Sequence, residues 1–564
     1  MTEIYEISDD FVNQIAAINP IAATSLGVPG YETELGDFSP EGAAANYKLS
    51  VDTLKKLNSA TVQNNEDRIA KEVMVEDIEA DIESYRRDEH LRRLNILHSP
   101  VQSIRMVFDQ MPRESETDWS NIVGRLTNVS AALSGYTDTL REGIRKNIVS
   151  SIRQAKGCAE QAEIWGGSKT GKSFFDSLAN NFKESNIDSS SIESDLHRSI
   201  EAASKAYTKF SNFLTKEYMT KAEAVDAVGH DRYLLAAREY NGIDINLTET
   251  YDWGWEQLRW VEDEMSRTAE KILPGANIEE VKNLLETDPK RSIEGEDNFR
   301  QWMQELQDET ISKLDGNHFE IAEPVRKIEA MIAPPGGALA MYYTRPSGDF
   351  SRPGRTWYPT AGKTIFPLWG EVSIAYHEGV PGHHFQIGTS VYLENRLSRY
   401  QRQLGGTSGY IEGWALYAER LMGELGFLDN PDYYLGMLRA QALRCVRVII
   451  DIGMHLNLKI PRDADFYPGE TWTPELGLEF IQKRSHFPQE FVKSEIDRYL
   501  GIPGQAISYK VGEKMWLEAR EEAKTKLGTD FNLKQWHTKA LNLGGMGLSQ
   551  MRRELSRINT RERE

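Results

Sequence analysis

The segment His377–His384 reads His-Glu-Gly-Val-Pro-Gly-His-His and holds three of the eleven histidines of the chain. A metal-dependent hydrolase needs imidazoles and a carboxylate around its metal, with a base beside the attacking water. Glu378 directly follows the first histidine and is the candidate for this base. The segment therefore predicts the core of a metal-dependent hydrolase site.

The spacing of the histidines decides the local geometry. In the usual His-Glu-x-x-His helix the ligands lie four residues apart, but here Pro381 stands four residues after His377. On an unbroken helix His383 would lie ~240° around from His377, and His384 would lie ~10 Å further along the axis. Pro381 clashes with a helical carbonyl, and the adjacent Gly382 adds conformational freedom. We therefore predict a broken turn that brings His383 beside His377, with His384 as the alternative ligand.

A third ligand should come from a downstream helix. Glu412 is the first acid after the histidines that opens an apolar helical segment, and Glu419 lies two turns further along it. The sequence thus predicts a zinc site made by His377, His383 and Glu412. Glu419 is expected to support a ligand or to replace one.

Most of the chain carries apolar residues at helical spacing. The predicted helical segments are 66–95, 117–163, 193–222, 247–273, 297–314, 409–427, 432–458, 504–527 and 547–558. Two apolar runs, Val325–Ala333 and Ala338–Thr344, flank Pro334-Pro335-Gly336-Gly337 and predict a β-hairpin. The hairpin is either an edge that docks an extended peptide or a structural patch. With no repeat or clear linker, we expect one catalytic domain over 1–564, with its metal-site half at about 320–515.

Composition excludes several classes of protein. The 564 residues carry a formal net charge of -20, which argues against a nucleic-acid partner. Two distant cysteines, Cys158 and Cys445, argue against a secreted disulfide framework. The acidic N-terminus lacks a long apolar stretch, and no segment is apolar enough to span a membrane. These features predict a cytoplasmic protein with no membrane or nucleic-acid partner; they give no indication of oligomeric state.

A rival motif lies at Gly166–Ser173, which matches the phosphate-loop pattern Gly-x-x-x-x-Gly-Lys-Ser. Val448-Ile449-Ile450-Asp451 even resembles the strand-ending acid that assists magnesium. A phosphate loop must follow a buried apolar strand, whereas Arg153–Trp165 is polar and has the spacing of a helix. We therefore predict that this chain is not a nucleotide hydrolase.

Three long motifs resemble the bacterial family known as domain of unknown function 885. They are His-Glu-x-x-Pro-Gly-His-His at 377–384, Glu-Gly-Trp-Ala-Leu-Tyr-Ala-Glu at 412–419, and Pro-Gly-Gln-Ala-x-Ser-Tyr-Lys-x-Gly at 503–512. Asn19-Pro20, Ala23-Thr24 and the segment 37–42 are similar to the opening of the family. The resemblance implies a mainly α, two-lobed fold with a deep cleft. It also implies kinship with the carboxypeptidase Taq, angiotensin-converting enzyme and thimet oligopeptidase group of zinc peptidases, although the histidines here are two residues further apart.

Further residues are candidates for catalysis. Zinc peptidases of this type use a Tyr or His donor for the oxyanion, and Tyr509 in the third motif is the candidate, with a structural tyrosine as the alternative. Arg447, Asp451 and His455 share one side of a helix. Asp451 is expected to orient His455 or a metal-ligating histidine, and His455 alternatively contacts the oxyanion. The structural alternative is an ion pair on the helix surface together with a histidine whose hydrogen bonds are satisfied.

Arginines near the motifs are candidates for substrate binding. Arg345, Arg352 and Arg355 crowd the loop before the metal helix, and Arg498 precedes the third motif. A guanidinium binds a substrate carboxylate through two hydrogen bonds, as a carboxypeptidase requires. The alternative is a solvated basic loop.

The function expected from these features is that of a zinc-dependent hydrolase. A metallopeptidase acting on short peptides, either a carboxypeptidase or an oligopeptidase, is the first expectation. The alternatives are a zinc amidohydrolase acting on small non-peptide amides and a non-catalytic helical binding protein with a degenerate site. The intact Glu378 argues against the last, since a dead site has no need of its base.

Overall fold

A computed structural model describes residues 2–333 and 341–559 of the chain. The structure is mainly helical with small sheets, which confirms the fold class predicted from the periodicity. The chain forms two compact units. One consists of Met1–Gln63, Asp77–Val228 and Asp497–Ile502, and the other of Asn64–Glu76, Gly229–Ile496 and Pro503–Glu564. All three predicted metal ligands belong to the second unit.

The N-terminal helices supply most of the first unit. They are α1 (Glu3–Ile18), α2 (Pro20–Leu26), α3 (Pro40–Ser59), α4 (Asn65–Arg86), α5 (Pro100–Gln110), α6 (Glu116–Lys146), α7 (Ile152–Trp165), α8 (Asp176–Glu184) and α9 (Ser190–Lys216). The predicted helix 117–163 is two helices, because Asn147 adopts a left-handed φ of 58° and ends α6. The core of this unit includes the buried rings of Trp119, Phe175 and Tyr207.

The remaining helices build most of the second unit. They are α10 (His230–Asn241), α11 (Leu247–Ile272), α12 (Ile278–Thr287), α13 (Glu296–Leu314), α14 (Glu371–Glu378), α15 (His383–Tyr392), α16 (Arg399–Gln403), α17 (Ser408–Glu424), α18 (Pro431–Leu456), α19 (Pro474–Arg484), α20 (Gln489–Gly501), α21 (Ser508–Leu527), α22 (Leu533–Leu541) and α23 (Leu548–Leu555). Helix α18 packs along α11, and α17 packs along α21. A Cβ on Gly413 would lie 2.3 Å from Cα of Gly512, so α17 and α21 touch through their backbones.

Two small sheets lie in the second unit. Strands β1 (Ser292–Glu294) and β5 (Ile365–Pro367) pair antiparallel. In the other sheet β4 (Gly354–Tyr358) is central, parallel to β2 (Ile328–Ile332) and antiparallel to β3 (Tyr342–Thr344). The predicted hairpin between the runs 325–333 and 338–344 is therefore wrong: both runs supply strands, but β4 inserts between them. The proposed turn at 334–337 and residues 338–340 lie outside the described residues.

The phosphate-loop pattern lies in a helical context, as expected for a chance match. Gly166 ends helix α7, so no strand precedes the Gly166–Ser173 segment. Val448–Asp451 lies inside α18 rather than at the end of a strand. Across the described part of the chain, every helix is too short or too polar to cross a bilayer.

Candidate metal centre

The helix that carries His377 breaks where the sequence predicts. Helix α14 ends at Glu378, and α15 begins at His383. The backbone N–H of Gly382 donates to the carbonyl of Tyr376 across 2.9 Å, which folds the turn back onto the end of α14. A Cβ at Gly382 would lie 2.0 Å from the carbonyl oxygen of His377, so this close approach requires glycine. The break shortens the path between the two histidines.

Three side chains from three helices converge across this break. Their ligand atoms, from His377, His383 and Glu412, all lie within 4.8 Å of one another. Oε2 of Glu412 lies 3.3 Å from Nε2 of His377 and 3.5 Å from Nε2 of His383. The two imidazole rings are nearly perpendicular, with centroids 4.7 Å apart. The structure thus brings together the three residues that the sequence predicts as ligands.

The spacing of these atoms fits a small divalent cation. Ligands about 2.0–2.1 Å from a tetrahedral zinc lie roughly 3.4 Å from one another, and the two distances to Glu412 are 3.3 and 3.5 Å. Oε2 of Glu412 is buried and has no hydrogen-bond partner among the described residues. A buried carboxylate oxygen without a partner is costly, and coordination of a cation removes that cost. Two imidazoles and one carboxylate leave a fourth position open, which is typical of catalytic rather than structural zinc sites.

His377 is held between two carboxylates. Its Nδ1 lies 2.8 Å from Oε1 of Glu419, and its Nε2 faces Glu412. Burial disfavours the charged ring, but the neighbouring carboxylates of Glu412 and Glu419 outweigh it and raise the pKa of His377 to about 10. The pocket therefore stabilises positive charge at Nε2, and a bound cation would replace that proton.

Glu419 supports His377 from the side away from Glu412. It is fully buried, and it accepts hydrogen bonds from His377 Nδ1 and from the Ser373 hydroxyl. The Arg444 guanidinium lies 3.7 Å from the same carboxylate. Burial opposes its charge, yet Arg444, His377 and Ser373 together hold the pKa of Glu419 below its usual value. A carboxylate that binds the second nitrogen of a ligating histidine fixes its tautomer and orientation.

Glu378 is the acid nearest to the ligands in sequence. It ends α14 and is 8% exposed. Burial raises its pKa, while the charges of His383 and His377 oppose the rise. A raised pKa makes the carboxylate a stronger base, which suits it to accept a proton.

The Tyr509 ring lies alongside the imidazole of His377. The two rings are nearly parallel, with centroids 6.4 Å apart. The Arg447 guanidinium lies 4.7 Å from the Tyr509 centroid and binds Glu495 across 2.6 Å. The structure therefore places this predicted oxyanion donor beside His377, with its ring contacted by an arginine from α18.

His384 is not part of the cluster. Its Nε2 donates to the carbonyl of Val325 across 2.7 Å, and its Nδ1 accepts from the Tyr343 hydroxyl at 3.1 Å. Burial lowers the pKa of His384 to about 4, so the ring is neutral. Both nitrogens are occupied by protein, which leaves His383 as the histidine that faces Glu412.

Asp451 and His455 form a separate buried group on α18. Asp451 accepts hydrogen bonds from the Tyr233 hydroxyl at 2.7 Å and from the backbone N–H of Gly504 at 2.9 Å. His455 lies 3.8 Å from Asp451, and its ring packs against Tyr233. These contacts anchor the Pro503–Gly512 motif to α18, and it is Glu419 rather than Asp451 that orients His377.

The predicted substrate-binding arginines are dispersed. Arg355 on β4 binds Glu329 on the neighbouring strand across 2.7 Å. Arg345 is exposed and donates a hydrogen bond to the carbonyl of Arg402. Arg498 lies in the first unit near His98; burial and the positive charge of Arg498 together lower the pKa of His98. Each of these three arginines thus has a different protein partner in the structure.

Three residues at the centre have no role in the sequence-based prediction: Ser373, Arg444 and Trp414. Ser373 stands four residues before His377 and so shares its helix face, which is a signal in the sequence. Trp414 stands two residues after Glu412 within the second motif, and its indole N–H binds the carbonyl of Pro381. Arg444 reaches Glu419 from a different helix, and no local pattern indicates that contact.

The chain belongs to the family described as bacterial protein of unknown function (DUF885), whose family model matches residues 20–555. This confirms the family resemblance drawn from the three motifs. No curated protein matches the chain.

Two solved structures share the fold. A "putative lipoprotein from Colwellia psychrerythraea" is 19% identical, with a TM-score of 0.84, and the match covers 99% of each chain. A "putative lipoprotein of unknown function from Shewanella oneidensis" is 17% identical, with a TM-score of 0.73, and the match covers 98% of this chain and 99% of that one. Lipoproteins are held at a membrane surface by a covalent lipid. The prediction of a cytoplasmic location is contradicted by these descriptions and is wrong.

Proposed function

We propose that the chain is a zinc-dependent hydrolase, most simply a metallopeptidase that cleaves short peptides. The observation that carries the proposal is the convergence of His377, His383 and Glu412 across the broken turn, with Oε2 of Glu412 at 3.3 and 3.5 Å from the two imidazoles. Zinc held by His377, His383 and Glu412 would supply Lewis acidity and would activate a water molecule for attack. A zinc-peptidase-like fold with a substrate cleft forms part of this proposal.

The protein groups around the site have complementary tasks. Glu378 accepts the proton of the attacking water and passes it to the leaving nitrogen, for which its raised pKa suits it. Tyr509 donates a hydrogen bond to the oxyanion that develops on the scissile carbonyl. Glu419 keeps His377 in the orientation that presents Nε2 to the metal.

The proposal is tested by metal analysis together with digestion of a peptide library. Wild-type protein is expected to hold about one zinc per chain and to cleave members of the library. Glu378→Gln should retain the zinc and lose at least about 100-fold in kcat, because it removes a proton acceptor and leaves the ligands intact. His377→Ala should lose the metal. Wild-type protein that takes up no zinc on titration would overturn the proposal.

The same experiment separates the alternatives. A chain that binds zinc, cleaves no peptide and hydrolyses small acyl amides in a Glu378-dependent way is an amidohydrolase. A chain that binds zinc and turns over neither class of substrate is a binding protein. The intact Glu378, which follows His377 in sequence and interacts electrostatically with both His383 and His377, favours the two enzymatic interpretations.

We also propose that the protein acts outside the cytoplasm or at a membrane surface. The support is that the two solved structures named above, from Colwellia psychrerythraea and Shewanella oneidensis, are described as putative lipoproteins. Fractionation of cells expressing the native gene tests this proposal: recovery of the protein in the soluble cytoplasmic fraction alone would refute it.

A further inference from the structure

The broken turn interrupts the ladder of backbone hydrogen bonds between α14 and α15. An interrupted helix exposes C=O groups that must find other donors when they are buried. The indole N–H of Trp414 fills this need at Pro381, whose carbonyl oxygen lies 2.8 Å from Nε1. Nε1 also lies 3.3 Å from the carbonyl oxygen of Gly382, which accepts a backbone hydrogen bond from Gln386 as well. Pro381 and Gly382 directly precede His383, so the indole holds the backbone immediately before this proposed ligand.

Trp414 is fully buried and cannot turn away from this contact. Its ring lies against Trp516 at a centroid distance of 5.0 Å and an angle of 68°. Tyr417 and His537 flank it at 5.5 and 5.7 Å. A ring packed on several sides by other rings has a defined position, and its N–H is therefore a fixed point against which the turn is placed.

One helix carries both a ligand and this anchor. Glu412 and Trp414 stand two residues apart on α17, the first facing the histidines and the second facing the turn. Helix α17 therefore positions both groups that lie 3.5 Å apart: it carries Glu412 directly, and through Trp414 it holds the turn before His383. A shift of Pro381 away from the indole would carry His383 away from Glu412.

We infer that Trp414 is a positioning residue for the metal centre, acting through its hydrogen bond to Pro381 to place His383. This inference rests on the proposed zinc site. The inference gives the second motif a role beyond supplying Glu412. Its tryptophan holds the longer turn that the two extra residues between the histidines create.

The structure offers a matched control in Trp516. This residue is also fully buried in the same aromatic cluster, but its Nε1 has no hydrogen-bond partner among the described residues. Trp414→Phe and Trp516→Phe therefore remove the same atoms from neighbouring sites. Only the first removes a hydrogen bond to the turn.

The test measures zinc affinity by competition with a chromophoric chelator, and the visible absorption of the Co²⁺-loaded protein. Trp414→Phe is expected to weaken zinc binding about 10- to 100-fold, as loss of a group that orients a ligand does, and to alter the Co²⁺ spectrum. Trp516→Phe should lower thermal stability and leave zinc affinity within about threefold of wild type. Equal affinities in the two variants would overturn the inference.

A second variant covers the case in which Trp414→Phe does not fold. Benzothienylalanine introduced at position 414 keeps the shape of the indole and replaces its N–H by sulfur, so packing is retained and the donor is lost. It should show the same loss of zinc affinity, and wild-type affinity would refute the inference. If wild-type protein itself binds no zinc, the proposed function fails first, which distinguishes the two failures.

Discussion

His377 and Glu419 are joined by a hydrogen bond of 2.8 Å between Nδ1 and Oε1, and this bond turns Nε2 of the imidazole toward Glu412. The two carboxylates come from the same helix, α17, with Glu412 at its start and Glu419 two turns further on. A single helix thus provides one of the proposed ligands and the support for another. This arrangement makes α17 the element on which the geometry of the centre depends.

Glu419→Gln should weaken zinc binding about 10- to 100-fold while the protein stays folded. The amide oxygen can still accept the hydrogen bond of His377, but the negative charge that raises the basicity of the ring is lost. Zinc competition titration measures the change. Ser373→Ala removes only a hydroxyl donor to Glu419 and should have a smaller effect; a variant of Glu419 that binds zinc like wild type would contradict the prediction.

His383→Ala and His384→Gln should differ in bound zinc content and in thermal stability. The first removes a group that faces Glu412 and should abolish tight zinc binding. The second breaks contacts to Val325 and Tyr343 and should lower the melting temperature, yet retain about one zinc per chain. Metal content by mass spectrometry and thermal unfolding check both. The reverse pattern of metal loss would show that His384 is the ligand.

Glu371, in the first turn of α14, should make stability depend on pH. Burial raises its pKa to about 7, and its Oε2 has no hydrogen-bond partner among the described residues. Because the folded pKa lies above the ordinary value of 4.5, the folded state keeps a proton that the unfolded state loses. The free-energy cost of burying the Glu371 carboxyl group at a pH where it would ionise in water is absent below pH 4.5. This cost grows as the pH rises and reaches its full value above pH 7.

Glu371→Gln removes this titration. The free energy of unfolding of Glu371→Gln minus that of wild type should therefore increase between pH 4.5 and pH 8, by about 3 kcal/mol at most. Urea unfolding of the metal-free proteins at several pH values measures the difference. A difference that is constant with pH, or that falls as the pH rises, would rule out a protonated Glu371 in the folded state.

Gly413→Ala and Gly423→Ala compare two positions on α17. A Cβ at Gly413 would lie 2.3 Å from the Gly512 backbone, so the substitution must separate α17 from α21 and should cost several kcal/mol, on the order of 3. At Gly423 the nearest atom is 3.7 Å away, on the Tyr434 ring, and alanine should stabilise the helix by up to about 1 kcal/mol. Chemical denaturation of both variants gives the two values, and equal stabilities would contradict the packing argument.

The sequence by itself determined the helical class and the family. Apolar residues at helical spacing are a local property, and so are the clash and the missing hydrogen bond at Pro381 that break the helix between the histidines. Boundaries were less accurate: the segment 117–163 is two helices, because the left-handed turn at Asn147 is a conformation that several residue types can adopt. The sequence predicts strands β2 and β3 but not their pairing, since both pair with β4, which lies further along the chain.

The tertiary structure alone decided which histidine faces Glu412. Both His383 and His384 follow the broken turn, and only the packing of β3 and of the segment before β2 gives His384 two protein partners and leaves His383 for the cluster. It also decided that Glu419 rather than Asp451 supports His377, and that Trp414 holds the turn. These contacts join residues that are distant in sequence, so they follow from how the helices pack and not from local spacing.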